Sequence, residues 1–255
     1  MKILKLGQML GGSNAPSGTS AFANLYSLSF DGVDDYVNLG DSNDFTFGDG
    51  STDSPFSISM WVKLDVAGAQ GFIAKSSSSQ KEYHIITGFS GLLRFRLYDN
   101  SSGTYIQSQM NAAVSTLSWV NYVFTYDGSG DETGINIYAD NSLVAQTKFG
   151  QPYTAMENTT ADLRISSSEQ NSFYLEGNTD EVALFNIELS PSQVTDIYNS
   201  GAPTDLTSHT GLIGYWRNGD TAGTSVYPTI TDDSSNSNDG TMTNMDSGDI
   251  VTDVP

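Results

Sequence analysis

FDGVDDYVNLG at residues 30–40 and GNTDEVALFNIELSPSQ at residues 177–193 are the two stretches that decide the fold. Each sets alternating apolar residues against Gly, Asn and Asp turns, and the chain between them is built the same way. Short strands of period two, joined by turns of Gly, Asn, Asp and Ser, are the pattern of an antiparallel sandwich that leaves binding to its loops.

Outward from these phrases, FSISMWVKL at residues 56–64 puts Phe56, Ile58, Met60, Val62 and Leu64 on one face and Ser57, Ser59, Trp61 and Lys63 on the other. LLRFRLY at residues 92–98 repeats the rule, with Leu93, Phe95 and Leu97 against Arg94, Arg96 and Tyr98. WVNYVFTYD and INIYADNSLVAQT read as a strand, a Gly-rich loop and a hairpin turning at Asp140 and Asn141, two residues that tolerate positive φ. Aromatics on such polar faces pack against a second layer in most sandwiches and serve as sugar platforms in a minority. One short helix is expected in SPSQVTDIYNSG at residues 190–201. Ser190 is a good N-cap with Gln193 three residues on, Pro191 suits the first helical position, Val194, Ile197 and Tyr198 share a face, and Gly201 can end it. Beyond a polar link, LIGYWR at residues 212–217 offers another strand and DDSSNSNDGT at residues 232–241 a turn-rich loop.

The 255 residues suit one large all-β domain with extensions. Thirty acidic residues against ten basic ones give a formal charge of −20, which repels a phosphate backbone, so neither nucleic acid nor an anionic membrane is expected as a partner. There is no cysteine, hence no disulfide and no thiolate metal site. No apolar run approaches the roughly 18 residues that span a bilayer, so no membrane insertion is expected. MKILKLGQMLGG breaks its apolar stretch with Lys5 and Gln8, too early for a signal sequence, and the chain is expected to be retained without export. Charge is uneven: residues 1–30 hold Lys2 and Lys5 and no acid, whereas the 38 residues after Arg217 hold seven Asp and no base. Residues 1–24 join a short apolar piece to the linker GGSNAPSGTS and read as an extended arm, either docked on a partner or untethered.

These phrases, in this order, resemble the laminin-G-like branch of the concanavalin A-like lectin and glucanase superfamily. FDGVDDYVNLG resembles its opening strand and loop, FSISMWVKLD its Trp strand, SWVNYVFTYDGSGDETGINIYADNSLV its central strand and hairpin, and TDEVALFNIELSPSQVTDIYNSG its closing strand and helix. The resemblance spans roughly residues 26–201 and implies an all-β, two-sheet antiparallel jelly-roll sandwich, a binding or adhesion module that often holds one calcium. One feature departs from that pattern. The phrases GLIGYWRNGD and DDSSNSNDGTM, which in the family lead the domain, here follow the helix at residues 211–242. They either supply the first strand from the opposite end, a circular permutation, or begin a truncated second copy. The permutation is physically easy because sandwich termini lie at the surface and close together. The domain limits expected are an N-terminal arm and linker at 1–24, a sandwich at 25–245 and an acidic tail at 246–255.

The resemblance marks Asp31, Asp34 and Asp180 as calcium-site residues, with Asp239 joining or neighbouring them. Calcium needs several oxygens, and Gly32 lets backbone carbonyls approach while the carboxylates supply charge. The alternative is that these Asp residues cap turns. The stretch at residues 41–53 lacks the Glu that an EF-hand loop needs at its twelfth place. Glycoside hydrolysis requires two carboxylates across a cleft, and the glucanase pattern of alternate acids on one strand is absent, so no enzymatic activity is expected. His84 and His209 have no ligand-spaced neighbour and read as packing or surface residues. Tyr105, Tyr126, Tyr153 and Tyr174 are available for stacking on a sugar.

Two roles follow as expectations. The first is a non-enzymatic virion structural protein, a capsid decoration or fibre component of a bacteriophage. Its N-terminal arm would dock on other virion proteins in a multi-copy assembly or homo-oligomer, and its lectin-like domain would face host or environmental glycans. The alternative is a calcium-dependent carbohydrate-binding or adhesion module of a bacterium, placed outside the cell or on its surface.

Overall fold

A computed structural model describes residues 22–168, 172–220 and 227–255. The expected arm therefore lies, but for residues 22–24, outside the described residues. The strands run in chain order β1 (Ser27–Asp31), β2 (Tyr36–Gly40), β3 (Phe56–Leu64), β4 (Gln70–Ser76), β5 (Lys81–Thr87), β6 (Leu92–Asp99) and β7 (Thr104–Ala113). Then come β8 (Val120–Tyr126), β9 (Ile135–Ala139), β10 (Ser142–Leu143), β11 (Gln146–Gly150), β12 (Leu163–Ile165), β13 (Ser167–Ser168), β14 (Phe173–Tyr174) and β15 (Glu176–Phe185). The helix α1 (Pro191–Tyr198) is followed by β16 (Leu212–Trp216), β17 (Thr229–Ile230), β18 (Gly240–Thr243) and β19 (Ile250–Val251).

Two large antiparallel sheets form the jelly-roll sandwich. The first has the order β10-β9-β8-β3-β15-β1-β19, with β16 also on β15; the second runs β11-β7-β6-β5-β4-β12-β2-β18-β17. The period-two faces read from sequence meet between them. Phe56, Ile58, Met60, Val62 and Leu64 of β3 and Leu93, Phe95 and Leu97 of β6 share one buried cluster. Phe56 stacks on Phe47 at 4.1 Å and meets Phe95 edge-on at 5.6 Å, each such side chain contributing about 1.5–3 kcal/mol by leaving water.

The two outer faces are treated differently. On the first sheet α1 lies across the outer face and buries Val194 and Ile197 against Ala183, Phe185 and Tyr215. Its capping box is complete, Ser190 with Gln193, and Asn199 closes it in the left-handed region. No helix covers the second sheet among the described residues; only the β13–β14 hairpin reaches its outer side, over Gly71 of β4, where a Cβ would stand 2.5 Å from the Phe173 carbonyl oxygen.

β15 is paired along one side by β3 and shared on the other by two strands. β1 takes residues 176–179 and β16 takes residues 182–185. β18 meanwhile pairs with β2 in the second sheet, so residues 212–243 contribute strands to both layers of the same sandwich. Residues 246–255, set apart above as an acidic tail, are corrected to part of the domain. Ile250 and Val251 pair with Leu28 and Ser27, because β1 would otherwise present a bare edge, and Asp253 ends in an ion pair with Lys63.

Candidate functional site

The outer face of the second sheet, which no helix covers among the described residues, is built from three cross-strand rows. Direct register partners share a face, and the register runs Ala74, His84, Arg96, Gln107 and Phe149 across β4, β5, β6, β7 and β11. The next row holds Ile86, Arg94, Gln109 and Thr147, and the third pairs Tyr98 with Tyr105. The alternation that buries Leu93, Phe95 and Leu97 is what turns these side chains outward.

Arg96 is the centre of this face. Its guanidinium carbon lies 3.8 Å from the centre of the Tyr105 ring and 5.7 Å from that of Tyr98. Nε and Nη2 donate to Gln107 Oε1 at 2.9 and 2.7 Å, and Nη1 donates to the Tyr98 hydroxyl at 3.2 Å. Arg94 donates through Nε to Gln109 Oε1 at 2.8 Å. Lys81 stands over the Tyr98 ring, and Phe149, partly exposed on the edge strand, packs against Tyr105 at 5.6 Å. His84 is buried beneath, edge-on to Tyr98 at 5.2 Å. Burial, then the charges of Arg96, Arg94 and Lys81, hold its imidazole well below the usual range and therefore neutral. The result is a flat aromatic and guanidinium surface whose geometry is set by neutral Gln partners.

A second cluster occupies the turn between β1 and β2. Asp31, Asp34 and Asp35 each bring a carboxylate oxygen to within 4.8 Å of the others. Gly32 makes the turn possible: its φ is +76° and an added Cβ would lie 2.8 Å from Glu176 Cβ. Asp31 Oδ1 accepts from the backbone N–H groups of Val33 and Asp34, and Asp35 Oδ2 accepts from that of Asp31. Burial, with the charges of Asp31, Asp249 and Asp34, pushes the Asp35 carboxyl up to about 6. The donors are all hard oxygens and carry crowded negative charge, which fits calcium in kind.

A family model described as the concanavalin A-like lectin/glucanases superfamily matches residues 31–195. The chain belongs to that superfamily. This concanavalin A-like domain is similar to a Bacteroides ovatus protein described as a "putative carbohydrate binding protein", with a TM-score of 0.64 at 15% identity over 91% of this chain. It spans 60% of that protein's length. It is also similar to the CBM40 domain of a Ruminococcus gnavus IT-sialidase bound to α2,3-sialyllactose, with 10% identity, 67% of this chain, 97% of that one and a TM-score of 0.47. Domain 4 of the Geobacillus stearothermophilus arabinanase AbnA, in complex with arabinotriose, matches at 20% identity, 58% of this chain, 69% of that one and a TM-score of 0.43. No curated protein matches the chain.

The structure of this concanavalin A-like domain brings Asp31 and Asp34 together, adds Asp35, and puts Asp180 and Asp239 elsewhere. Asp31 faces Glu176 across the sheet, four residues from Asp180, about 13 Å along β15. Asp180 is buried, and its Oδ1 accepts from the Glu181 N–H. Burial and the neighbouring Glu181 raise its carboxyl well above the usual range. Glu181 is itself pushed up to about 7 by burial, against the pull of Arg217 at 3.2 Å and of the Tyr215 hydroxyl. Asp239 closes the following turn by accepting from the Asp232 N–H at 2.9 Å.

Of the four tyrosines singled out from the sequence, Tyr105 lies on the open face. The hydroxyls of Tyr126 and Tyr153 both donate to Asp53 Oδ2 at 2.7 Å, and Tyr174 pairs within the small hairpin. Arg94, Arg96, Gln107, Gln109 and Phe149 were not singled out as ligand-binding residues. Their signal was present in LLRFRLY, whose polar side carries two arginines and a tyrosine.

Proposed function

We propose that this domain binds carbohydrate, without catalysing a reaction on it, on the outer face of the second sheet. The observation that carries the reading is the platform of Arg96, Tyr105 and Phe149 on a sheet face that no helix covers among the described residues. Aromatic faces bury the apolar side of a sugar ring, and the amide and guanidinium donors beside them reach its hydroxyls. Support comes from the fold shared with the Bacteroides ovatus protein, which carries a carbohydrate-binding description. Calcium, where bound, would rest on the carboxylates of Asp31, Asp34 and Asp35 and relieve their mutual repulsion. The test is Phe149→Ala measured against a saccharide bound by the parent chain. Loss of one aromatic contact predicts affinity about fivefold to tenfold lower with an unchanged melting temperature. Equal affinity in the two would reject this face.

A second reading, display of the domain on a virion, rests on the basic and apolar sequence of residues 1–24. Deleting these residues is expected to leave a folded domain that no longer joins its particle, and incorporation of the truncated chain would end that reading.

A further inference from the structure

Ten Lys and Arg residues are present and two, Lys2 and Lys5, fall outside the described residues, which leaves eight. Three of the eight are spent on carboxylates: Lys63 on Asp253, Lys75 on Asp41 and Glu82, and Arg217 on Glu181. Three others, Lys81, Arg94 and Arg96, converge on the open face of the second sheet, and none forms an ion pair with a described carboxylate. In a chain of net charge −20 this is a local reversal of sign.

The hydrogen bonding separates these arginines from a structural one. Arg217 is held by a carboxylate that cancels its charge. Arg94 and Arg96 are held by the amide oxygens of Gln109 and Gln107, which fix the guanidinium planes and leave the charge intact. A guanidinium has five N–H donors. Among the described residues Arg96 uses three and Arg94 one, so two and four respectively remain on half-buried groups. The register row continues through Arg164 to Asn38, which is four strands from Arg96, about 19 Å away, and whose Nδ2 donates to the Asp162 carboxylate at 3.1 Å. The net negative charge of the molecule does not decide the matter, because at physiological salt fields decay over about 8 Å and a docked ligand feels the face it touches.

We infer that this face selects saccharides bearing a carboxylate, as a uronic or sialic acid does, with Arg94 and Arg96 as the specificity-determining residues. The inference rests on the carbohydrate-binding reading above and adds the ligand class. Arginine matches a carboxylate with two parallel N–H···O bonds, and Tyr105 and Phe149 give the sugar ring an apolar rest.

The experiment places the full chain on a glycan array carrying neutral saccharides beside uronic-acid and sialic-acid counterparts, followed by titration of the strongest binder. The expected result is affinity at least about tenfold higher for the carboxylated member of a pair, lost in Arg94→Gln and Arg96→Gln while both variants melt as the parent does. Equal or stronger binding of neutral saccharides overturns the acidic selectivity and leaves carbohydrate binding standing. Arginine variants that melt lower yet bind the acidic saccharide unchanged assign the ladder to sheet packing and overturn the inference too. Binding to nothing on the array overturns the carbohydrate reading, and this inference with it.

Discussion

Asp35 shows how one residue can set a pH dependence. Ionised Asp35 is disfavoured in the folded chain, which therefore holds its proton more tightly than the unfolded chain does. Its contribution to stability is greatest below about pH 4 and is lost as the pH rises through 6. Asp35→Asn keeps an acceptor for the Asp31 N–H and removes the charge. It is expected to raise the melting temperature at pH 7 and to flatten the pH 4–6 slope. The gain is about 1 kcal/mol once screening by the water around Asp31 and Asp34 is allowed for, or roughly 2–4 °C in a domain of this size. A cation at the same turn would act in the same direction. A calcium site there predicts that EDTA lowers the melting temperature of the parent and leaves Asp31→Ala unaffected; identical parent curves with and without chelator would remove calcium from the account.

At the scale of elements, β15 and its split partner edge govern the fold. The kink at Glu181, whose φ is +48°, turns its carboxylate to Arg217, and Arg217 in turn donates to the carbonyl of Ala23 and packs over Phe22. Arg217→Met leaves that carboxylate buried without its counter-charge, held by the Tyr215 hydroxyl. The loss is expected to be about 3 kcal/mol in urea unfolding at pH 8 and clearly smaller at pH 5, where Glu181 is protonated with or without its partner. The permutation proposed from the order of the phrases has its own test. Ser27 stands opposite Val251, so residues 206–255 placed ahead of residue 25 through a short Gly/Ser linker should fold to the same sandwich with a similar melting temperature. An insoluble relinked chain would count against it.

Across the whole molecule, the sandwich and its helix were legible because period-two burial and a capping box are local codes, carried by runs such as FSISMWVKL and by Ser190 with Gln193. The placement of Asp180 was not, since its burial follows from the kink in β15 and from β16 arriving late in the chain to share that strand. Nor was the open face. LLRFRLY shows that Arg94, Arg96 and Tyr98 point the same way, but which outer face stays bare depends on where α1 packs, a tertiary outcome. The Arg96–Gln107 and Arg94–Gln109 bonds depend on the register of β6 with β7, which alternation alone leaves free by steps of two. The measurement that tests the central claim most directly is an amide chemical-shift titration of the full chain with a saccharide it binds. The account predicts that the shifts gather on β6, β7 and β11, at Arg94, Arg96, Tyr105, Gln107, Gln109 and Phe149. Shifts confined instead to the β1–β2 turn or to the loops at residues 41–55 would contradict it.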